Sequence, residues 1–101
     1  MEMRIAICDD EEMILRQTRE LLFRIAGEYF ENAEIDCYSD NRKMLVEHEK
    51  DAYDIVVLDI QMEPMDGFQT AERLAEAGHT CKLIFLSSKE ELVFQSFSYE
   101  P

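Results

Sequence analysis

Basic residues are scarce in this chain. Lys and Arg total 10 in 101 residues, against 23 Asp and Glu, for a formal net charge of −13. A surface that neutralises phosphates needs clustered Lys and Arg, so direct DNA or RNA binding by this segment is disfavoured, as is docking on anionic membrane. Long apolar runs are missing too. None nears the roughly 18 residues of a membrane span, and the start MEMRIAICDD has no long apolar region of the signal-peptide kind. Cysteines are few, odd in number and far apart. Cys8, Cys37 and Cys81 form no CxxC pair, which argues against a zinc cage or a disulfide framework and reads as reduced thiols in a cytosolic protein. No linker, low-complexity tract or internal repeat breaks the chain.

Hydrophobic residues, by contrast, make up 47% of the sequence. They recur in compact runs, which suits one domain with a real core and argues against disorder. Two periodicities alternate. Residues 4–8 (RIAIC) read as a strand that stops at four acids. Ile14, Leu15, Leu21, Leu22, Ile25, Ala26 and Tyr29 follow at helical spacing, with Asp10 as N-cap and Glu11 and Glu12 at the positive end of the helix dipole. Residues 34–38 (EIDCY) alternate as an edge strand does. Residues 41–50 offer a weak helix with Met44, Leu45 and His48 on one side. Residues 54–60 (DIVVLDI) read as a central strand covered on both faces. Beyond the turn-like MEPMDG, Phe68, Ala71, Leu74 and Ala75 predict a helix, and Gly78 sits at its C-terminal cap. Residues 82–87 (KLIFLS) read as a buried strand, and residues 89–99 as a short last helix.

This β-α-β-α-β-α-β-α order implies a parallel sheet covered on both faces. Ligands in such sheets bind beyond the carboxyl ends of the strands. Asp9 and Asp10, Asp59, and Ser87 and Ser88 stand at those ends. Asp10, Glu11 and Glu12 taken alone also fit a solvated helix start. Asp59 is harder to place that way, because it ends an apolar strand and a carboxylate there needs partners. Three converging carboxylates resist ionisation unless a cation joins them. Oxygen-only ligands open to water favour Mg²⁺ or Mn²⁺ over zinc.

At these residues the chain resembles a known family. IAICDDEE, YDIVVLDIQMEPMDG and KLIFLSS resemble the three signature blocks of bacterial response-regulator (CheY-like) receiver domains, in the same order and at the same separations. Asp59-x-x-Met62-x-x-Met65-Asp66-Gly67 is the most specific of them. IFLSS followed by VFQSFSYEP resembles the receivers fused to LytTR-type DNA-binding domains. The resemblance covers the whole chain. It implies a flavodoxin-like, doubly wound α/β fold with strand order 2-1-3-4. It also implies that Asp59 accepts a phosphoryl group from a phosphohistidine on a sensor histidine kinase. Asp10 would ligate Mg²⁺ directly, Asp9 through a metal-bound water, and Gln61 through its backbone carbonyl, beside Asp59. Ser87 matches the switch hydroxyl, and Gln61 and Lys89 match positions that tune the lifetime of the phosphoryl group. The domain would then act as a cytoplasmic phosphoacceptor that controls transcription, with no catalysis beyond its own phosphotransfer and dephosphorylation.

Some features depart from the family pattern. Family receivers often carry proline directly after the methionine, whereas Glu63 precedes Pro64 here. Gly67 is expected to supply a turn conformation. His48 and His79 lie away from the strand ends and are expected to be structural or solvent-exposed, and the six methionines fill core. Residues 1–101 read as a receiver that stops before the fifth βα unit, which in the family supplies a lysine to the phosphoryl group, and before any DNA-binding domain. Strand four is therefore expected to be an open edge, leading to a homodimer, exchange of elements, or rearrangement of the last helix. Phosphorylation is expected to be slow, with Mg²⁺ binding retained. Two other readings are an interaction module that works by partner binding alone and a Mg²⁺-dependent phosphatase or nuclease. The second lacks a further acid or base near the nucleophile.

Overall fold

The structure, a computed structural model, describes residues 2–29, 32–78, 81–86 and 95–98. The elements run β1 (Glu2–Cys8), α1 (Glu12–Tyr29), β2 (Asn32–Tyr38), α2 (Asn41–Lys50), β3 (Ile55–Asp59), α3 (Gly67–Glu76), β4 (Lys82–Leu86) and β5 (Gln95–Ser98). The sheet order is β2-β1-β3-β4-β5. The first four strands are parallel, as the alternation of strands and helices implies. β2 lies at an edge and β3 in the middle, as their alternating and continuous apolar patterns predict.

One expectation fails. Residues 95–98 belong to the segment read as a last helix, yet they form a strand antiparallel to β4, with Leu83 opposite Phe97 and Ile84 opposite Ser96. β4 is therefore not the open edge of the sheet. An unpaired strand offers a row of backbone donors and acceptors, and the QSFS segment can satisfy them with its own backbone without needing a helical face.

Two cores flank the sheet. Ala6, Cys8, Val56, Leu58, Leu83 and Phe85 face Met44 of α2 and Ala71 and Leu74 of α3. Ile5, Ile7, Val57 and Leu86 point the other way, with Leu15 and Leu22 of α1 against them. The apolar stripe of α1 is wider than its contact. Leu21 and Ile25 are exposed, being turned roughly 80–120° from the Leu15–Leu22–Ala26 line at 3.6 residues per turn. Phe68 is 54% exposed rather than core, although its ring lies 5.2 Å from that of Phe85. Gly78 has φ +74°, the left-handed conformation that stops α3 just past Ala77. The three cysteines are unpaired; Cys8 and Cys81 are buried and Cys37 is exposed.

The far end of the sheet, where the strands begin, is tied by Arg4. Its guanidinium lies 4.3 Å from the centre of the Tyr53 ring and within 3.5–3.6 Å of carboxylate oxygens of Glu34, Asp36 and Asp51. The Tyr53 hydroxyl donates to Asp36 Oδ2 at 2.6 Å, so Tyr38 is the donor across the 2.6 Å Tyr38–Tyr53 contact. Burial and these bonds push the Tyr53 phenol well above its ordinary pKa. His48, placed as structural or exposed by the sequence, is buried, and its Nδ1 accepts from the Tyr53 backbone N–H at 3.0 Å. His79 lies outside the described residues. Tyr53→Phe keeps the packing and removes the donor to Asp36. It is expected to cost about 1–2 kcal/mol in urea unfolding, with an unchanged m-value.

Candidate functional site

The parallel register builds the site. Cys8 pairs with Leu58, the residue before Asp59. Asp9, one step past β1, therefore lies beside Asp59 at the end of β3. Asp9, Asp10 and Asp59 each bring a carboxylate oxygen to a point where all three lie within 4.8 Å of one another. Asp9 and Asp59 are 1% and 2% exposed, whereas Asp10 is open to solvent.

Backbone groups fix the two buried carboxylates. The Asp9 N–H donates to the Tyr38 carbonyl at 3.1 Å, and Asp9 Oδ1 accepts from the Glu11 N–H at 2.9 Å. Asp59 Oδ1 accepts from the Gln61 N–H at 3.3 Å. The Asp10 expectation needs correction in one respect. The Leu15 N–H donates to the Glu11 carbonyl at 3.0 Å, so Glu11 is the residue that caps α1, and Asp10 stands before the helix, at the site.

The electrostatics are strained. Burial pushes the Asp9 carboxyl up to about 6, against the Glu11 N–H that favours its charged form; Asp59, Asp10 and Glu11 raise it further. Asp9 Oδ2 is buried and has no hydrogen-bond partner among the described residues. An orphaned carboxylate oxygen facing two more carboxylates is a donor set for a hard divalent cation. The residues present therefore fit Mg²⁺ or Mn²⁺.

The segment after Asp59 is held from both sides. The Ile60 N–H donates to the Leu86 carbonyl and the Gly67 N–H to the Ile60 carbonyl, each at 3.1 Å. Gly67 does not supply a turn conformation, since only Gly78 among the described glycines has positive φ. Its role is close approach: a Cβ on Gly67 would stand 2.6 Å from the Asp59 carbonyl oxygen. Asp66 caps α3 and forms a reciprocal capping box with Gln69, a signal carried by the Asp66-x-x-Gln69 spacing. The Glu63–Pro64 peptide is cis. An open cleft of about 540 Å³ adjoins the site, lined by Asp10, Gln61, Met62, Glu63, Asp66 and Phe68 among others. The structure thus brings together Asp9, Asp10, Asp59 and Gln61. Ser87 and Lys89 lie outside the described residues.

A parallel sheet of order 2-1-3-4 with acids at the ends of its first and third strands defines a flavodoxin-like α/β fold whose crevice is lined by carboxylates. The profile of the response regulator receiver domain matches residues 5–99, and the chain belongs to that family. It is 29% identical to the transcriptional regulatory protein PcoR of Escherichia coli over 88% of this chain and 37% of that protein. It is 32% identical to the positive alginate biosynthesis regulatory protein of Pseudomonas aeruginosa over 94% of this chain and 37% of that protein. The chain thus spans little more than a third of the curated relatives it matches here. Among solved structures it is similar to the N-terminal domain of a response regulator receiver protein from Methanoculleus marisnigri JR1. The TM-score is 0.71 at 30% identity, covering 87% of this chain and 68% of that one. A chemotaxis response regulator of Vibrio cholerae shares the fold, with a TM-score of 0.70 at 19% identity, covering 90% of this chain and 72% of that one.

Two predictions follow from the geometry. In metal-free protein the raised Asp9 pKa penalises folding in full above about pH 6, and the penalty vanishes only below the ordinary value of 3.8, where the group is protonated in both states. Asp9→Asn is therefore expected to stabilise the chelator-treated protein by about 1–2 kcal/mol at neutral pH, with the advantage fading as pH falls through 6 towards 4. Urea titrations across that range check it. Gly67→Ala is expected to destabilise by about 1–3 kcal/mol, because the new methyl meets backbone that cannot yield cheaply.

Proposed function

We propose that this receiver domain works by phosphorylation of Asp59. The donor is a phosphohistidine on a sensor histidine kinase, and the output is transcriptional, through a DNA-binding domain outside residues 1–101. The observation that carries the reading is the buried Asp9 Oδ2, without a hydrogen-bond partner among the described residues, in a cluster where Asp9, Asp10 and Asp59 bring carboxylate oxygens together.

Asp9, Asp10, Asp59 and the Gln61 carbonyl would hold Mg²⁺ or Mn²⁺. When bound, the cation offsets the repulsion between the carboxylates and an incoming phosphoryl group. The Gln61 N–H orients the Asp59 carboxylate through Oδ1. An Asp59 oxygen forms the new O–P bond while the N–P bond of the phosphohistidine breaks, and the leaving imidazole takes up a proton. Burial of Asp59 shields the acyl phosphate from water. The added charge is then read by the Ser87 hydroxyl, and Gln61 and Lys89 tune how fast water removes the phosphoryl group. The IFLSS and VFQSFSYEP stretches support an output domain of the LytTR type. A cytoplasmic location belongs to the same reading and is supported by the unpaired cysteines.

The test is incubation with acetyl phosphate and Mg²⁺, followed by intact mass. One added phosphoryl group is expected, dependent on the metal and lost in Asp59→Asn. No modification of the wild type, or modification that persists in Asp59→Asn, would overturn the reading.

A further inference from the structure

Asn41 is the first residue of α2 and is 1% exposed. Its side-chain nitrogen donates twice, to the Met65 carbonyl at 2.9 Å and to Thr70 Oγ1 at 2.8 Å. The Thr70 hydroxyl spends its own proton on the Asp66 carbonyl, at 2.8 Å. Both atoms facing the Asn41 amide are therefore acceptors, which fixes its orientation with nitrogen towards the loop. The other end of the amide, Oδ1, is buried and has no hydrogen-bond partner among the described residues. A buried acceptor left unmade is a cost, and an apolar side chain of similar size would avoid it. Asn41 is thus held in place by what it donates.

The recipient is the segment 60–66 that leaves the phosphoacceptor. Its near end is closed by Ile60 and Gly67, whose backbones meet at 3.1 Å. Its far end is closed by Asn41 at Met65 and by Thr70 at Asp66. Gln61 lies between these closures, with its N–H on Asp59. A ligating carbonyl has to sit within about half an ångström of its place, and such precision comes from the groups behind it.

We propose that Asn41 is a positioning residue for the metal and phosphoacceptor loop. Its amide locks the far end of the segment, so that the start of α2 sets where the Gln61 carbonyl stands. The inference rests on the proposed metal site. By linkage, whatever binds Asp59 and Gln61 also tightens the Asn41 clamp, and α2 is coupled to the state of the site.

The experiment compares wild type with Asn41→Leu, which keeps the bulk and removes the donors, and with Thr70→Val, which at constant shape removes one acceptor of Asn41 and the hydroxyl donor to the Asp66 carbonyl. Tyr53→Phe serves as a stability control, a lesion whose lost hydroxyl meets only the Asp36 and Tyr38 side chains and none of the 60–66 segment among the described residues. Mg²⁺ affinity and the initial rate of acetyl phosphate labelling are measured well below the unfolding transition. Amide hydrogen exchange of residues 61–65 is followed in chelator. Asn41→Leu is expected to weaken Mg²⁺ binding on the order of 10-fold, slow labelling in parallel and speed exchange across residues 61–65. Thr70→Val gives a smaller loss in the same direction, and Tyr53→Phe leaves Mg²⁺ affinity unchanged. Wild-type exchange and wild-type Mg²⁺ affinity in both loop variants would overturn the clamp. The same holds if Tyr53→Phe loses as much affinity as they do, since that would mark a general stability effect. Faster exchange in the variants, with a wild type that neither binds Mg²⁺ nor is labelled, would uphold the clamp as a loop anchor and sink the metal-site reading instead.

Discussion

Carboxylates repel, and a low-dielectric setting magnifies the repulsion. Bringing Asp9 and Asp59 into the interior beside Asp10 is therefore an uphill arrangement, visible in the raised pKa of Asp9. Everything around the site answers that cost. Backbone N–H groups of Glu11 and Gln61 take one oxygen of each buried acid. Asp9 Oδ2 is left without a donor among the described residues, which suits the uptake of a cation.

The parallel sheet makes the arrangement unavoidable once the register is set. Cys8 beside Leu58 dictates that the next residue of each strand points into the same crevice. A slip of one residue would send Asp59 to the wrong place and invert both apolar faces of β3. The two cores, Val56 and Leu58 on one side and Val57 on the other, hold that register. Gly67 then lets α3 start in contact with the Asp59 backbone, where any side chain would intrude.

The strand-end acids were legible in the sequence because each is a local signal: a strand pattern followed directly by Asp. The sheet order was legible for a related reason, since alternation of strands and helices leaves few parallel topologies. Three things were not. Residues 95–98 carry a single aromatic residue, Phe97, compatible with either period, and the open backbone of β4 decided between them. The width of the α1 stripe hid that Leu21 and Ile25 face away from the core. Asn41 and Thr70 are 29 positions apart, so their bond has no local signature, and a polar residue opening a helix looks like ordinary capping chemistry.

The sheet solves the same electrostatic problem twice, and the contrast explains what each end does. Where the strands begin, Asp36, Asp51 and Glu34 are served by a guanidinium of the chain itself, held against the Tyr53 ring. That compensation is covalently permanent and changes nothing when conditions change. Where the strands end, one oxygen of Asp9 finds no donor among the described residues. On the proposed reading compensation there comes from a bound cation, so its amount depends on what is bound. A permanent countercharge stabilises a fold; an exchangeable one lets binding and chemistry at the site alter the free energy of the elements around it. Had an arginine been placed beside Asp9, the fold would gain stability and the site would lose its response.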